Sequence, residues 1–463
     1  MRYTTDGVKD LTITYIGGGS RGWAWELMQD LALESAMEGE VRLYDIDRAA
    51  AECNAVIGNK ISASPQAVAL WRYVVADSLA SALDGADFIV ISILPGTFKE
   101  MDSDISVPEE YGIYQSVGDT TGPGGLVRSL RTIPMYVEIA QAISRYAPDA
   151  YVINYTNPMA LCVRTLYEVF PGIHAFGCCH EVFHAQQILA DMLREKNGLS
   201  CVNWEDIRIS VTGVNHFTWI SRAFWQGTDL IPMFADFASA HAKDGYEDDR
   251  RDAAEAPCFR GAHKVMFDLF LRYGMIPAAN DRHLAEFMPP WYLKDPETIA
   301  GWRFSLTPVE WRYEDLERRL ARSRALRSGE ESVRIKPSGE KGSRMMLALL
   351  GLGDMISNVN LPNRGQVPNL PLMTVVETNA VFGRAGISPV VTEPIPPQVL
   401  SLIMPHALNQ ELILKAAMLR DRKTALQALL SEPLVRLSPD DAEKMLNAMI
   451  DNTLAYLPAQ WRR

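Results

Sequence analysis

The chain has 463 residues, 45 Lys and Arg against 57 Asp and Glu for a net charge of −12, and 48% hydrophobic with 22% charged residues. That balance suits a globular protein with a full core and argues against a nucleic-acid or acidic-membrane partner, since either needs a basic footprint. No apolar run is long enough for a transmembrane helix, no secretory leader is visible, and six cysteines with Cys178 and Cys179 adjacent make a poor disulfide framework, so a reducing cytoplasm is expected.

Leu11–Ile16 alternates β-branched residues and predicts a strand, followed by helical spacing from Ser20 through Met37. Between them lies Ile16-Gly-Gly-Gly-Ser-Arg-Gly22, in which Gly17, Gly19 and Gly22 keep the spacing G-x-G-x-x-G. Glycines between a strand and a helix let backbone N–H groups approach a pyrophosphate, with the helix N-terminus facing the anion. Gly17, Gly18, Gly19 and Ser20 are therefore candidate cofactor contacts. Val41–Asp45 reads as the next strand, ending at Asp45, which is placed to hold ribose hydroxyls. An acidic residue there favours NAD over NADP, although Arg48 lies near enough to keep that choice open.

Ala86–Ile93 is a buried strand, and Gln115–Gly125 is glycine-dense enough to read as an ordered loop against a ligand. A helix is expected around Tyr136–Tyr146, then a strand at Ala150–Tyr155 ending in Asn154-Tyr-Thr-Asn-Pro158. Open α/β sheets place ligands at such strand ends. Ala175-Phe-Gly-Cys-Cys-His-Glu-Val-Phe183 offers a soft ligand in Cys179, and Gly213-Val-Asn-His-Phe217 offers His216 just past a strand at 207–213. Singly, a buried Cys is usually a small hydrophobe. If the two pair, they make half of a divalent-metal site that leaves positions open for substrate.

Beyond about residue 190 the pattern becomes mixed: helical over 236–275, charged helix and loop over 313–345, and mostly helical over 396–459. The expected fold is α/β. A Rossmann-like, doubly wound parallel sheet over 1–190 binds the dinucleotide. A mixed α/β and helical part over 191–463 carries substrate, metal and oligomer contacts.

The order IGGGS, LYDID, QSVGDTTGPGG, NYTNP, GCCHEV and GVNHF resembles glycoside hydrolase family 4, over nearly the whole chain. The resemblance implies a lactate/malate dehydrogenase-like fold, an NAD- and divalent-metal-dependent glycosidase with Mn²⁺ the usual ion, and a homodimer or homotetramer. It implies that Cys179 and His216 hold the metal and that Asn157 contacts sugar hydroxyls. His180 stands where some members place an aspartate as general acid, and Asp119 is the alternative donor. Asp281 is the candidate base, with Tyr273 as fallback; Asp281 also reads as a helix N-cap. The implied cycle oxidises C3 of the sugar, eliminates across C1–C2, adds water and returns the hydride. Cys179-His-Glu-Val182 is most similar to the α-galacturonidase signature, so the expected substrate is a small α-glycoside, a uronide, with Arg128 or Arg282 meeting its carboxylate. The alternatives are an α-galactosidase, α-glucosidase or α-glucuronidase of the same family, or an NAD-dependent hydroxy-acid dehydrogenase without metal.

Overall fold

Phe88 and Val90 pack on one face of their strand while Ile89 and Ile91 pack on the other, and all four are buried. A strand covered on both faces in this way belongs to the middle of a helix-flanked parallel sheet. The computed structural model of the chain describes residues 1–198, 202–247 and 257–462.

In chain order the strands are β1 (Arg2–Thr4), β2 (Gly7–Ile16), β3 (Met37–Tyr44), β4 (Trp71–Val75), β5 (Phe88–Ile91), β6 (Tyr151–Asn154) and β7 (His174–Gly177). There follow β8 (Arg208–Val214), β9 (Phe217–Trp225), β10 (Thr228–Asp229), β11 (Ile276–Pro277), β12 (Met355–Pro362), β13 (Val375–Gly383) and β14 (Gly386–Pro389). The main sheet runs β14-β13-β12-β7-β6-β5-β2-β3-β4, with β1 added on β2. Its six strands from β4 to β7 are parallel, in the doubly wound dinucleotide-binding order that reverses between β2 and β5. The α/β expectation is met. A smaller antiparallel sheet joins β8, β9, β10 and β11.

Three differences from the sequence reading have local causes. The first helix spans only Trp23–Ala32, because β3 already begins at Met37. The glycine-dense loop ends early: Thr121 leads into a helix over Gly122–Tyr146, which enters through Pro123, a residue suited to the first helical turn. The helical stretch over 236–275 is divided between helices Ile231–His241 and Lys264–Tyr273, and its residues 248–256 lie outside the described residues. The C-terminal part forms helices Pro397–Leu419, Arg422–Leu430 and Pro439–Asn452, as expected. Strands β12 and β13 are not apparent in the sequence reading. They pair antiparallel with each other, and Asn360 of β12 sits opposite Gly177 of β7, so the second half of the chain extends the first half's sheet.

Candidate active site

The glycine turn is pinned to the neighbouring strand. The Gly17 and Gly18 N–H groups donate to the Tyr44 carbonyl at 2.9 and 3.0 Å, and the Gly19 N–H donates to Asp45 Oδ2 at 2.8 Å. Gly17 has φ +94°, and a Cβ there would lie 1.9 Å from the Ser92 carbonyl oxygen, so this position requires glycine. The Ser20 N–H returns to the Gly17 carbonyl at 3.0 Å. The helix that follows, Trp23–Ala32, has no side-chain cap on its first N–H groups, which leaves its positive end available to an anion. Arg48 is occupied by Glu52 at 2.9 Å and Asp77 at 2.5 Å, so the acidic Asp45 is the residue left to define this end of the site. These features fit a dinucleotide with unphosphorylated ribose hydroxyls.

Cys179 lies just past β7, buried, with its backbone carbonyl accepting the Asn358 side-chain amide of β12 at 3.0 Å. Burial, with the Glu377 and Glu181 carboxylates nearby, pushes its thiol well above the ordinary range. His216 sits in the left-handed region at φ +63° between β8 and β9. Burial and the neighbouring His283 hold its imidazole down at about 3, so it is neutral and available as a ligand. Thr120 Oγ1 lies 2.9 Å from His216 Nδ1, which orients the ring and leaves Nε2 for a cation. A thiolate here needs a compensating charge, and a divalent cation supplies it. The donor set fits.

Around these two residues the chain gathers a dense charged cluster. The rings of His216 and His283 lie 3.9 Å apart. Glu181 Oε1 is 3.9 Å from both His180 Nε2 and His283 Nε2, and its Oε2 accepts the Asn280 N–H at 2.7 Å. Burial alone would raise the Glu181 carboxyl, but the surrounding imidazoles of His283, His184, His180 and His216 outweigh it and keep the group ionised. Burial would raise Asp119 likewise; Arg128, His283 and His216 instead hold it down at about 2. His180 leans 6.0 Å from the Trp23 ring and places Nδ1 3.0 Å from Glu340 Oε1. Although burial opposes its charge, the Glu340 and Glu181 carboxylates raise it to about 9. Among the described residues, ligand atoms of His180, Glu181 and His184 fall within 4.8 Å of one another.

Asn157 ends the loop after β6 with its side-chain oxygen buried and unpartnered, an acceptor left open. Its backbone carbonyl accepts Arg128 Nε at 3.1 Å. Arg282 gives Nη2 to the Ser116 carbonyl at 3.0 Å and to the Thr307 hydroxyl. Asp281 is buried at the start of helix Asp281–Glu286, and its Oδ1 accepts the Met266 N–H at 3.0 Å, so this oxygen braces the neighbouring helix. The N-cap there is Asn280 rather than Asp281, since the Asn280 side chain accepts the Arg282 N–H at 3.2 Å. Tyr273 packs edge-on against buried Trp219 at 6.3 Å, a contact of the hydrophobic core. The structure thus gathers Asp119, Arg128, His180 and His216 around residues the sequence reading missed: His283, Glu340, Glu377 and Arg312. His283 follows directly on Asp281 and Arg282, the two candidates of its segment; the others carry no local motif. A separate cavity of about 910 Å³, lined by residues that include Phe183, Lys341 and Arg344, contains neither Cys179 nor His216.

Comparison with known proteins settles the family. A model of the Family 4 glycosyl hydrolase matches residues 12–195, and one of the Family 4 glycosyl hydrolase C-terminal domain matches residues 211–435. The chain belongs to glycosyl hydrolase family 4. It is 54% identical over 458 residues to an alpha-galacturonidase of Thermoanaerobacterium saccharolyticum, covering 99% of this chain and 98% of that one. A Bacillus subtilis structure described as a glucosidase superposes with a TM-score of 0.91 at 47% identity, over 96% of this chain and 100% of that one. A 6-phospho-alpha-glucosidase from gut microorganisms, solved with NAD and Mn²⁺, shares the fold with a TM-score of 0.76 at 21% identity, over 97% and 99% of the two chains.

Proposed function

We propose that this family 4 glycosidase depends on NAD and a divalent metal, Mn²⁺ in the first instance, and releases galacturonic acid from α-galacturonides by the oxidation–elimination route. What carries the reading is one buried cluster. The Glu181 carboxylate neighbours both Cys179 and the imidazoles of His216 and His283, which in turn act on Asp119, in a chain 54% identical to an alpha-galacturonidase. When bound, NAD⁺ supplies a transient hydride acceptor and the metal supplies Lewis acidity at the sugar's C2 and C3 oxygens.

The chain's own residues do the rest. Cys179 Sγ and His216 Nε2 would hold the cation. Asn157 would orient a sugar hydroxyl through its unpartnered oxygen. Asp119 stays ionised and so has no proton to give, whereas His180 retains its proton near neutrality and is the better donor to a leaving oxygen. The base at C2 is then to be found between Asp281 and the imidazole of His283, with Tyr273 set back in the core. A thiolate ligand must stay reduced, and Cys179 is free together with Cys53, Cys162 and Cys178; a reducing cytoplasm suits both facts.

The test is a panel of nitrophenyl α-glycosides and digalacturonate with NAD⁺ and Mn²⁺ under reducing conditions. We expect hydrolysis of the galacturonides, loss with EDTA, recovery with Mn²⁺, no net NADH, and solvent exchange of a C2 deuteron. Full activity in EDTA without added NAD⁺ would falsify the reading.

A further inference from the structure

A uronic acid differs from its neutral sugar by one carboxylate at C6, so its receptor needs a cation not already spent within the protein. Three guanidiniums share the field of Asp119, namely those of Arg128, Arg282 and Arg312. Their existing partners separate them. Arg128 is tied to the Asn157 carbonyl at 3.1 Å and provides the largest charge acting on Asp119. Arg282 bridges the Ser116 carbonyl and the Thr307 hydroxyl while lying over the Phe259 ring at 5.0 Å. Both are built into the walls.

Arg312 is different. It stands in the first turn of helix Val309–Ser328, half-buried. The approach to that helix is fixed on the loop that carries Asp119, because the Thr307 N–H donates to the Ser116 carbonyl at 3.1 Å. The adjoining Trp311 meets Phe259 edge-on at 4.8 Å, which closes the other side. Among the described residues Arg312 has no hydrogen bond or ion pair, and its Nε is buried without a partner; the Arg282 Nε is buried and unmatched too, but that guanidinium is already anchored through Nη2. A buried guanidinium donor left unmatched costs stability that an incoming anion restores.

We infer that Arg312 is the specificity residue that receives the C6 carboxylate of the substrate. This rests on the uronide reading above and assigns the residue that makes it selective. Arg128 and Arg282 then shape the cleft without meeting the carboxylate directly.

The test uses full-length enzyme loaded with NAD⁺ and Mn²⁺, as wild type, Arg312→Gln and Arg312→Lys. Each is assayed on nitrophenyl α-galacturonide and nitrophenyl α-galactoside, and titrated with free galacturonate and galactose as competing ligands. For Arg312→Gln we expect kcat/KM on the galacturonide to fall about 10- to 100-fold, mainly through KM, with a similar loss of galacturonate affinity. Its galactoside kcat/KM should change by less than about 3-fold, which also shows that the variant folds. Arg312→Lys should recover part of the loss, since a point charge replaces a fork. An equal loss on both substrates, or unchanged galacturonide selectivity, overturns the assignment. A wild type that does not hydrolyse galacturonide overturns the uronide reading and the assignment with it; which enzyme fails, wild type or variant, tells the two apart.

Discussion

Burial acts on Cys179 and His216 in opposite chemical directions that serve one end. It keeps the imidazole neutral and the thiol protonated, so in the proposed metal site the histidine would be ready to ligate and the thiolate would form only with the cation. Cys179→Ser should therefore keep the thermal stabilisation by NAD⁺ and lose that by Mn²⁺, which parallel melting curves would show. Glu286 offers a separate test. Its Oε1 accepts the Val117 and Gly118 N–H groups at 2.7 and 2.8 Å, yet burial pushes the carboxyl up to about 7. A carboxyl raised in the folded state binds its proton more tightly there than in the unfolded chain. Its contribution is thus fully present at low pH and is lost as pH rises from about 4.5 to about 7, on the order of 3 kcal/mol. Glu286→Gln keeps the acceptor and removes the titration. It should raise the melting temperature at pH 8 relative to wild type while matching it at pH 4.5; the opposite ordering would show that the charged form is the stabilising one.

At the scale of elements, two helices that frame the cleft are locked by a fully buried ion pair. Arg131 on helix Gly122–Tyr146 gives Nη1 to Asp104 Oδ1 at 2.9 Å and Nη2 to Oδ2 at 2.5 Å, across to helix Phe98–Glu109. Removing one partner strands the other charge in the core, which typically costs about 3–5 kcal/mol. Arg131→Met should lower stability by that order in urea unfolding, whereas pairing it with Asp104→Leu should recover much of the loss; a double variant as weak as the single one would contradict the stranded-charge account. The glycine turn, the first strands and the Cys179-His180-Glu181 segment were legible in the sequence because each is a local pattern: a period, a spacing or a run of special residues. Glu377 and Asn358 were not. They matter because β12 pairs with β7, which brings Asn358 to the Cys179 carbonyl. His283 stayed hidden for a related reason: its ring reaches His216 only once helix Asp281–Glu286 docks beside the turn between β8 and β9.

For the molecule as a whole, the chief consequence is that one sheet is built from both halves of the chain. Residues 1–190 contain the whole parallel portion, but its β7 edge is covered by β12, whose Asn360 stands opposite Gly177. Cut off at residue 190, the first half would present β7 as an open edge carrying unpaired backbone groups, a template for association with other chains. It would also lose the Asn358 contact that steadies Cys179 and the Glu411 carboxylate that pairs with Arg164 at 2.6 Å. The Gly17–Ser20 part of the glycine turn, by contrast, is held from within the first half, by the Tyr44 carbonyl, by Asp45 and by Asn54, whose Nδ2 donates to the Gly18 and Ser20 carbonyls at 2.8 Å. A fragment of residues 1–190 should therefore aggregate or remain partly unfolded by circular dichroism and size-exclusion chromatography, and co-expression with residues 191–463 should restore a soluble complex that binds NAD⁺. A monomeric 1–190 fragment with a sharp melting transition and full NAD⁺ affinity would show instead that β7 tolerates exposure and that the dinucleotide half stands by itself.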